Sequence, residues 1–87
     1  MKLIYAIIHE KDSEKVIEAL NRAGSTATRM ASTGGFLRFG NITLLIGTEP
    51  EHVEGIIQIL DTHCSPSETN QHAATVFVVD MPEYHKI

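Results

Sequence analysis

Apolar and polar residues follow two different periods along this chain, and each change of period marks a predicted element. Residues 3–8 (LIYAII) are an unbroken apolar run bounded by charged residues, which predicts a short buried strand. The next segment has apolar residues at steps of three and four, typical of an amphipathic helix, with Asp12 or Ser13 to cap its start and Gly24 to end it. Its apolar positions are Val16, Ile17, Leu20 and Ala23.

The remainder of the chain predicts two strands, a second helix and a final strand. Residues 27–33 alternate weakly and residues 41–47 (NITLLIG) form a clearer apolar run, so both segments are predicted as strands. Residues 48–51 (TEPE) match the T-x-x-E capping box with proline in the first turn, which predicts the start of a helix. A polar connection, residues 65–72, separates this helix from a last apolar strand at residues 74–79 (ATVFVV). The apolar face of the second helix is Val53, Ile56, Ile57, Leu60 and Cys64.

The order of these elements, βαββαβ, predicts the fold class. With right-handed crossovers it gives an α+β, ferredoxin-like arrangement, a four-stranded antiparallel sheet with two helices on one face. The first and last strands are apolar at successive positions, so both of their faces favour burial although the helices cover only one. We therefore expect a single domain over residues 1–87 that associates with copies of itself through the open face of its sheet.

Composition and charge narrow the classes of function. With 87 residues, 43% of them hydrophobic, the chain has apolar material for one two-layer core. Seven Lys and Arg stand against eleven Asp and Glu, a formal net charge of −4, and no basic run suited to duplex DNA or RNA is present. Cys64 is the only cysteine, and the apolar start of the chain is too short for a membrane span or a secretory signal. These features predict a cytoplasmic protein.

One connection, residues 31–41 (ASTGGFLRFGN), carries more chemistry than a turn requires. Its adjacent glycines expose backbone N–H groups that can hold a phosphate, and Arg38 can add a bidentate contact. Phe36 offers a face on which a base could stack, and Asn41 has a donor and an acceptor for a base edge. The same residues also fit a plain hairpin, with turn glycines, a packed phenylalanine and a solvated arginine. The residues by themselves leave both interpretations open.

A longer stretch, residues 31–47 written as A-S-T-G-G-F-L-R-x-G-N-x-T-x-L-x-G, resembles the signature of the PII-like cyclic di-AMP receptor family. Members are small trimeric signalling proteins of bacteria, mainly Firmicutes and their relatives. The start (MKLIYAIIHEKDSEKVIEAL) is similar to the family's first strand and helix, and the end (ATVFVVDMPEYHKI) is similar to its last strand and tail. The resemblance implies a ferredoxin-like homotrimer that binds cyclic di-AMP in the clefts between subunits and regulates a protein partner.

The resemblance also implies a set of ligand-binding residues. Thr28 stands where the family places a hydroxyl against an adenine, and residues 35–37 stand where backbone and side chain line the phosphate and base. Asn41 and Gly47 stand where the family reads a base from the third strand, which is expected to bring them to one base-reading end. The expected ligand-binding residues are Thr28, Gly35, Phe36, Leu37, Arg38, Asn41, Gly47 and Lys86.

Three positions depart from the family pattern, and one connection is shorter. Gly24 stands where asparagine is common, Thr26 where arginine is common, and Lys86 replaces a glutamine. Loss of a guanidinium beside a dianionic ligand costs about 1.5–3 kcal/mol, which Lys86 offsets in part as a cation at the same cleft. Residues 64–73 stand where usual members have a long loop that reports ligand binding. The partner is therefore expected to contact residues 33–41 and the C-terminal tail; the alternative is a reduced member of the family with a different output.

Other functions also remain open at this point. One is a PII-like trimer with altered specificity, for another adenine nucleotide, a small anion or a metal, and another is a protein-interaction adaptor without a nucleotide. His63, Cys64 and His72 lie close in sequence but match no recognised metal-ligand spacing, so no metal site and no cofactor are predicted. A small acylphosphatase-like hydrolase needs an arginine after the first strand, where this chain has HEKDS, with Lys11 as its only cation. No enzymatic activity and no catalytic residue are predicted.

Overall fold

Helices and strands follow the order that the apolar pattern predicts. The computed structural model describes residues 1–30, 40–64, 74–83, 85 and 87. Its strands are β1 (Lys2–His9), β2 (Ala27–Met30), β3 (Asn41–Thr48) and β4 (Ala74–Asp80), and its helices are α1 (Ser13–Arg22) and α2 (Val53–His63). The βαββαβ order and the α+β, ferredoxin-like fold class are confirmed.

Helix α1 begins through a short 3-10 turn, Glu10–Asp12, and ends at a left-handed glycine. Asp12 is the N-cap residue, but it makes no side-chain cap hydrogen bond. The hydroxyl of Ser13 instead donates to the carbonyl of Glu10 at 2.8 Å. Gly24 has a φ of +85°, as its predicted position after the helix requires, because this backbone conformation is costly for residues with a side chain. The chain can therefore turn at once from α1 into β2.

Helix α2 begins differently from the prediction. Thr48 is the last residue of β3, paired with Lys2, and lies one residue before the N-cap position. Glu49 takes the N-cap position of a 3-10 turn, Pro50–His52, and makes no side-chain cap hydrogen bond. The predicted capping box is therefore wrong, because the sheet retains its threonine. Proline does occupy the first turn, as predicted.

The sheet is antiparallel throughout, in the order β2-β3-β1-β4. Ile4 of β1 pairs with Ile46 on one side and with Val78 on the other, and Ala27 pairs with Ile46 from the edge strand. This row of four lies on the face covered by the helices. The next row, on the opposite face, is Thr28, Leu45, Tyr5 and Phe77.

The core lies between this sheet and the two helices. Each inner strand contributes alternate residues to it, as a period of two requires, and each helix contributes residues three or four apart. The buried apolar residues of the core are Ile4, Ala6, Ile8, Val16, Leu20, Ile42, Leu44, Ile46, Ile56, Leu60 and Cys64.

The other side of the sheet, which we call the open face, is apolar and exposed. Tyr5 is 38% exposed, Phe77 48% and Val79 44%, and Met30 is also exposed. The prediction that the helices leave one apolar face uncovered is confirmed for the described residues. No helix of the described segments is long and apolar enough to cross a membrane.

Candidate functional site

A cleft of about 880 Å³ lies where β2 begins and β3 ends, and we call it the β3-end cleft. One side is the connection from α1 into β2, with Gly24, Thr26 and Thr28 in its lining. The end of β3 supplies Gly47, and the start of α2 supplies the remaining side. Two predicted ligand residues, Thr28 and Gly47, and two of the positions that depart from the family pattern therefore share one cavity.

The α1–β2 side of the cleft is held by backbone hydrogen bonds at the end of the helix. The N–H of Gly24 donates to the carbonyl of Asn21 at 3.1 Å, and the N–H of Ser25 donates to the carbonyl of Leu20 at 2.9 Å. These bonds satisfy carbonyls that the helix end would leave without partners. The hydroxyl-bearing residues that follow the glycine thus have a fixed backbone beneath them.

Gly47 opens the cleft by lacking a side chain. A methyl group placed on its Cα would lie 3.5 Å from Cε of Met81 and 3.8 Å from Cε of Met1. The backbone of Gly47 is not in the left-handed region, so no turn requires a glycine here. The missing side chain instead leaves room for a ligand to reach the backbone. The N–H of Met81 donates to the carbonyl of Met1 at 3.0 Å, which places the two thioethers together. Bare backbone beside two polarisable side chains suits a flat, uncharged ring.

The charges around the cleft are unfavourable for a phosphate. Glu49, Glu51 and His52, from the start of α2, lie in its lining. Among the described residues, no Lys or Arg side chain lines the cleft. Carboxylates repel a phosphate across a few ångströms, and no Lys or Arg side chain of the described lining offsets that repulsion. This end of the sheet therefore suits the base and hydroxyl parts of a ligand better than its anionic part.

Asn41 lies at the opposite end of β3 and is not in the lining of the β3-end cleft. Its Oδ1 is 3.1 Å from Nδ1 of His9, the residue with which it pairs across β1 and β3. Gly47 lies six positions further along the same strand, a distance of roughly 20 Å. The expectation that Asn41 and Gly47 lie together at one base-reading end is wrong, because an extended strand holds its two ends apart.

The remaining predicted ligand residues lie outside the described part of the chain. Residues 31–39 include Gly35, Phe36, Leu37 and Arg38, and Lys86 is also outside the described ranges. Their places in a site stay predictions. Gly40, just before β3, has a φ of +89° and accepts a hydrogen bond at 2.7 Å from the N–H of Glu10. This hydrogen bond holds the start of β3 against the end of β1.

Several contributors to the site escaped sequence reasoning. Met1 and Met81 come together because β1 and β4 pair, and no local sequence pattern predicts that contact. Glu51 was predicted only as part of the capping box at the start of the second helix, although both Glu51 and His52 line the cleft. The signal that could have indicated them is the strand order, which places the start of α2 beside the start of β2.

Cys64 and the histidines show no metal-binding arrangement in the described segments. Burial, followed by the Asp12 carboxylate, raises the pKa of the Cys64 thiol to about 11 against the opposing charge of Lys15. His63 donates from Nδ1 to the carbonyl of Ile59 at 3.0 Å, within its own helix. No group of three His, Cys, Asp or Glu side chains is placed to hold a metal ion in the described ranges, and His72 lies outside them.

Comparison with known proteins agrees with the fold and with the resemblance. A family model described as "Cyclic-di-AMP receptor" matches residues 1–72, a span that contains every predicted ligand residue except Lys86. A solved structure of a functionally unknown protein from Pediococcus pentosaceus is similar, with a TM-score of 0.81 and 27% sequence identity. That match covers 99% of this chain and 96% of the other, so the two chains correspond almost end to end. The chain belongs to the cyclic-di-AMP receptor family.

Proposed function

We propose that this protein is a PII-like signalling protein that binds cyclic di-AMP in clefts between the subunits of a cytoplasmic homotrimer and regulates a protein partner. The observation that carries the proposal is the β3-end cleft, in a chain of the receptor family. It brings Thr28 and Gly47 together from two strands, beside the hydroxyl of Thr26. Hydroxyl groups and bare backbone within a partly apolar cavity are suited to recognising a heterocyclic base.

The charge of the cleft favours a site in which the cations for the phosphates come from residues outside the described lining. Cyclic di-AMP carries two phosphates, and the described lining of the cleft offers carboxylates but neither Lys nor Arg. Arg38 and Lys86 are therefore the cations that we assign to the phosphates. Asn41 is roughly 20 Å from Gly47 along β3, so in this proposal the two act on different parts of the ligand or on ligands in different clefts.

The open face supports the trimeric part of the proposal. Tyr5, Phe77 and Val79 form an exposed apolar surface on a chain of 9.6 kDa. Such a surface on a small domain is typical of association between subunits. Light scattering after size exclusion tests this part directly, with a mass three times that of the chain expected.

An altered ligand is the second candidate, and the charge of the β3-end cleft favours it. Glu49 and Glu51 line the cavity, and Thr26 stands where the family often has arginine. A ligand with fewer phosphates would suffer less repulsion there. AMP, which has one phosphate, therefore belongs in the same binding experiment as cyclic di-AMP, and ATP, which has three, is the comparison that the carboxylates should repel most.

Calorimetric titration of the purified full chain with cyclic di-AMP, ATP, AMP and cyclic di-GMP tests the proposal. We expect selective binding of cyclic di-AMP near one molecule per subunit. Selective binding of AMP or ATP would replace it with the altered-ligand function. Heat from none of the four would contradict nucleotide sensing and leave the adaptor function.

A matched pair of variants connects binding to the cleft. Thr28→Val removes a hydroxyl from the cleft without changing the shape of the side chain, and Thr62→Val makes the same change on the exposed surface of α2, outside both the cleft and the open face. Loss of one hydrogen bond should weaken cyclic di-AMP binding about threefold to tenfold in the first variant and leave it unchanged in the second. Equal affinities of the two variants would remove Thr28 from the site.

A further inference from the structure

His9 and Asn41 form a polar pair on the open face, at the far end of β3 from the β3-end cleft. They are partners in the register of β1 and β3, and both are half-buried. Their neighbours Ile8 and Ile42 are buried under the helices, so the alternation of a strand directs this pair to the other face. Nδ1 of His9 and Oδ1 of Asn41 are 3.1 Å apart.

The surroundings of the ring decide which nitrogen carries the proton. Nε2 of His9 is buried and has no hydrogen-bond partner among the described residues. A proton on Nε2 would be a buried donor with no acceptor in the described part of the chain, and such orphaned N–H groups are rarer in proteins than unused acceptors. A neutral ring with its proton on Nδ1 avoids this and donates to the amide oxygen of Asn41.

This hydrogen bond fixes the orientation of the Asn41 amide. Once Oδ1 accepts from His9, it is the NH₂ end of the amide that points away from the ring. An amide free to flip could offer either a donor or an acceptor to a ligand. Held by the histidine, Asn41 turns its two N–H donors away from the ring, while its Oδ1 stays beside the ring with one lone pair already in use.

We propose that His9 is a positioning residue that holds Asn41 as a hydrogen-bond donor, so that Asn41 contacts an acceptor atom of the ligand, a ring nitrogen or a phosphate oxygen, and not the exocyclic amino group of adenine. The inference rests on the proposed function, because it concerns how the same ligand is read. The sequence allowed Asn41 to act on a base as a hydrogen-bond donor or as an acceptor, and the proposal keeps only the donor role.

The tautomer is measured first, without any ligand. Long-range proton–nitrogen correlation spectra of the histidine rings distinguish a proton on Nδ1 from one on Nε2, and His9→Gln identifies the His9 signals by their loss. We expect the Nδ1-protonated form for His9. A proton on Nε2 would overturn the proposal. Because this measurement needs no nucleotide, it separates a failure of the inference from a failure of the protein to bind cyclic di-AMP.

Variants of the pair then test its effect on the ligand. His9→Gln keeps a side-chain N–H that can donate to Oδ1, whereas His9→Leu keeps bulk and removes the donor. We expect cyclic di-AMP binding to weaken about threefold to tenfold in His9→Leu and to stay within about twofold in His9→Gln. Equal weakening in both variants would assign His9 a purely structural role.

A double-mutant cycle shows whether His9 acts through Asn41. The double variant His9→Leu, Asn41→Ala should bind no more weakly than Asn41→Ala alone, because the amide that the histidine orients is already gone. Losses that multiply would mean that the two residues act separately, and the proposal would fail.

A modified ligand separates donor from acceptor contacts. In a cyclic dinucleotide whose two bases are purine, without the exocyclic amino group, every ring nitrogen and phosphate oxygen remains. Asn41→Ala should therefore weaken binding of this analogue by the same factor as for cyclic di-AMP. If the effect of Asn41→Ala disappears with the analogue, Asn41 reads the amino group and the proposal is overturned.

Discussion

The helix-covered face and the open face of the sheet are built from the same strands, yet they differ in the residues that they present. Along β3, Ile42, Leu44 and Ile46 are buried under the helices, while Asn41 and Gly47 alternate with them on the open face. The centre of the covered face is an apolar core, and the open face combines exposed apolar residues with predicted ligand residues. A period of two thus separates the residues that stabilise the fold from those available to copies of the chain and to ligands.

The largest expected effect comes from truncating a residue of the covered face. Leu44→Ala should lower the free energy of unfolding by about 2–5 kcal/mol, because Leu44 is fully buried and its loss leaves a cavity. Phe77→Ala on the open face should change it by less than about 1 kcal/mol in dilute, monomeric protein and should weaken association instead. Urea denaturation with light scattering measures both. If both variants lost the same free energy of unfolding in dilute solution, the separation of the two faces would be contradicted.

A second expected effect on the covered face appears at alkaline pH. Burial raises the pKa of Cys64 from 9.0 to about 11, so the folded state holds the thiol proton more tightly than the unfolded state. The stabilisation is complete below pH 9 and is lost as the pH rises towards 11, by about 2–3 kcal/mol in total. Cys64→Ala should remove this part of the pH dependence. Denaturation curves of both proteins across that window should differ in slope, and parallel curves would show that the thiol is not protected.

Adding bulk on the open face should affect binding rather than folding. Gly47→Val places a branched side chain in the β3-end cleft, at a strand position where valine is well tolerated. It should weaken cyclic di-AMP binding about tenfold to a hundredfold through overpacking against the ligand. Gly47→Ala should give a smaller loss, since its methyl group only reaches ordinary contact with Met81 and Met1. Unchanged calorimetric affinity in Gly47→Val would place the ligand elsewhere.

The smallest expected effect is that of an exposed ion pair at the end of strands β1 and β4. Lys2 and Asp80 pair across β1 and β4, and the hydrogen bond from Lys2 lowers the pKa of Asp80. Asp80 is exposed, so Asp80→Asn should shift the melting temperature only slightly at neutral pH and not at all in high salt. The difference should also vanish in acid, because the contribution is lost once the pH falls through the lowered pKa. A shift that persists in salt would point to a role in packing.

The fold was predictable from the sequence because its signals are local and periodic. Apolar runs located the strands, and Gly24 was correctly placed at the end of α1. The capping box at Thr48 failed because pairing with β1 competes with the helix for that residue, and such competition is tertiary.

The candidate site was less predictable, because register and strand order determine it. The cross-strand contact of His9 with Asn41 and the meeting of Met1 with Met81 both require knowledge of pairing partners. The distance between Asn41 and Gly47 follows from extended geometry, yet a linear motif makes the two look adjacent. Resemblance supplied residue identities without their arrangement in space.

The buried thiol of Cys64 provides a reporter of local motion that the protein already contains. Only the thiolate reacts with alkylating reagents, and a pKa of about 11 instead of 9.0 lowers the reactive fraction in the folded chain about a hundredfold at mildly alkaline pH. Labelling of the native chain is the sum of this slow direct reaction and of reaction during moments when the end of α2 opens. The ratio of labelling rates for native and denatured chains therefore gives an upper limit to the equilibrium constant for that opening, at one known position and without an attached probe.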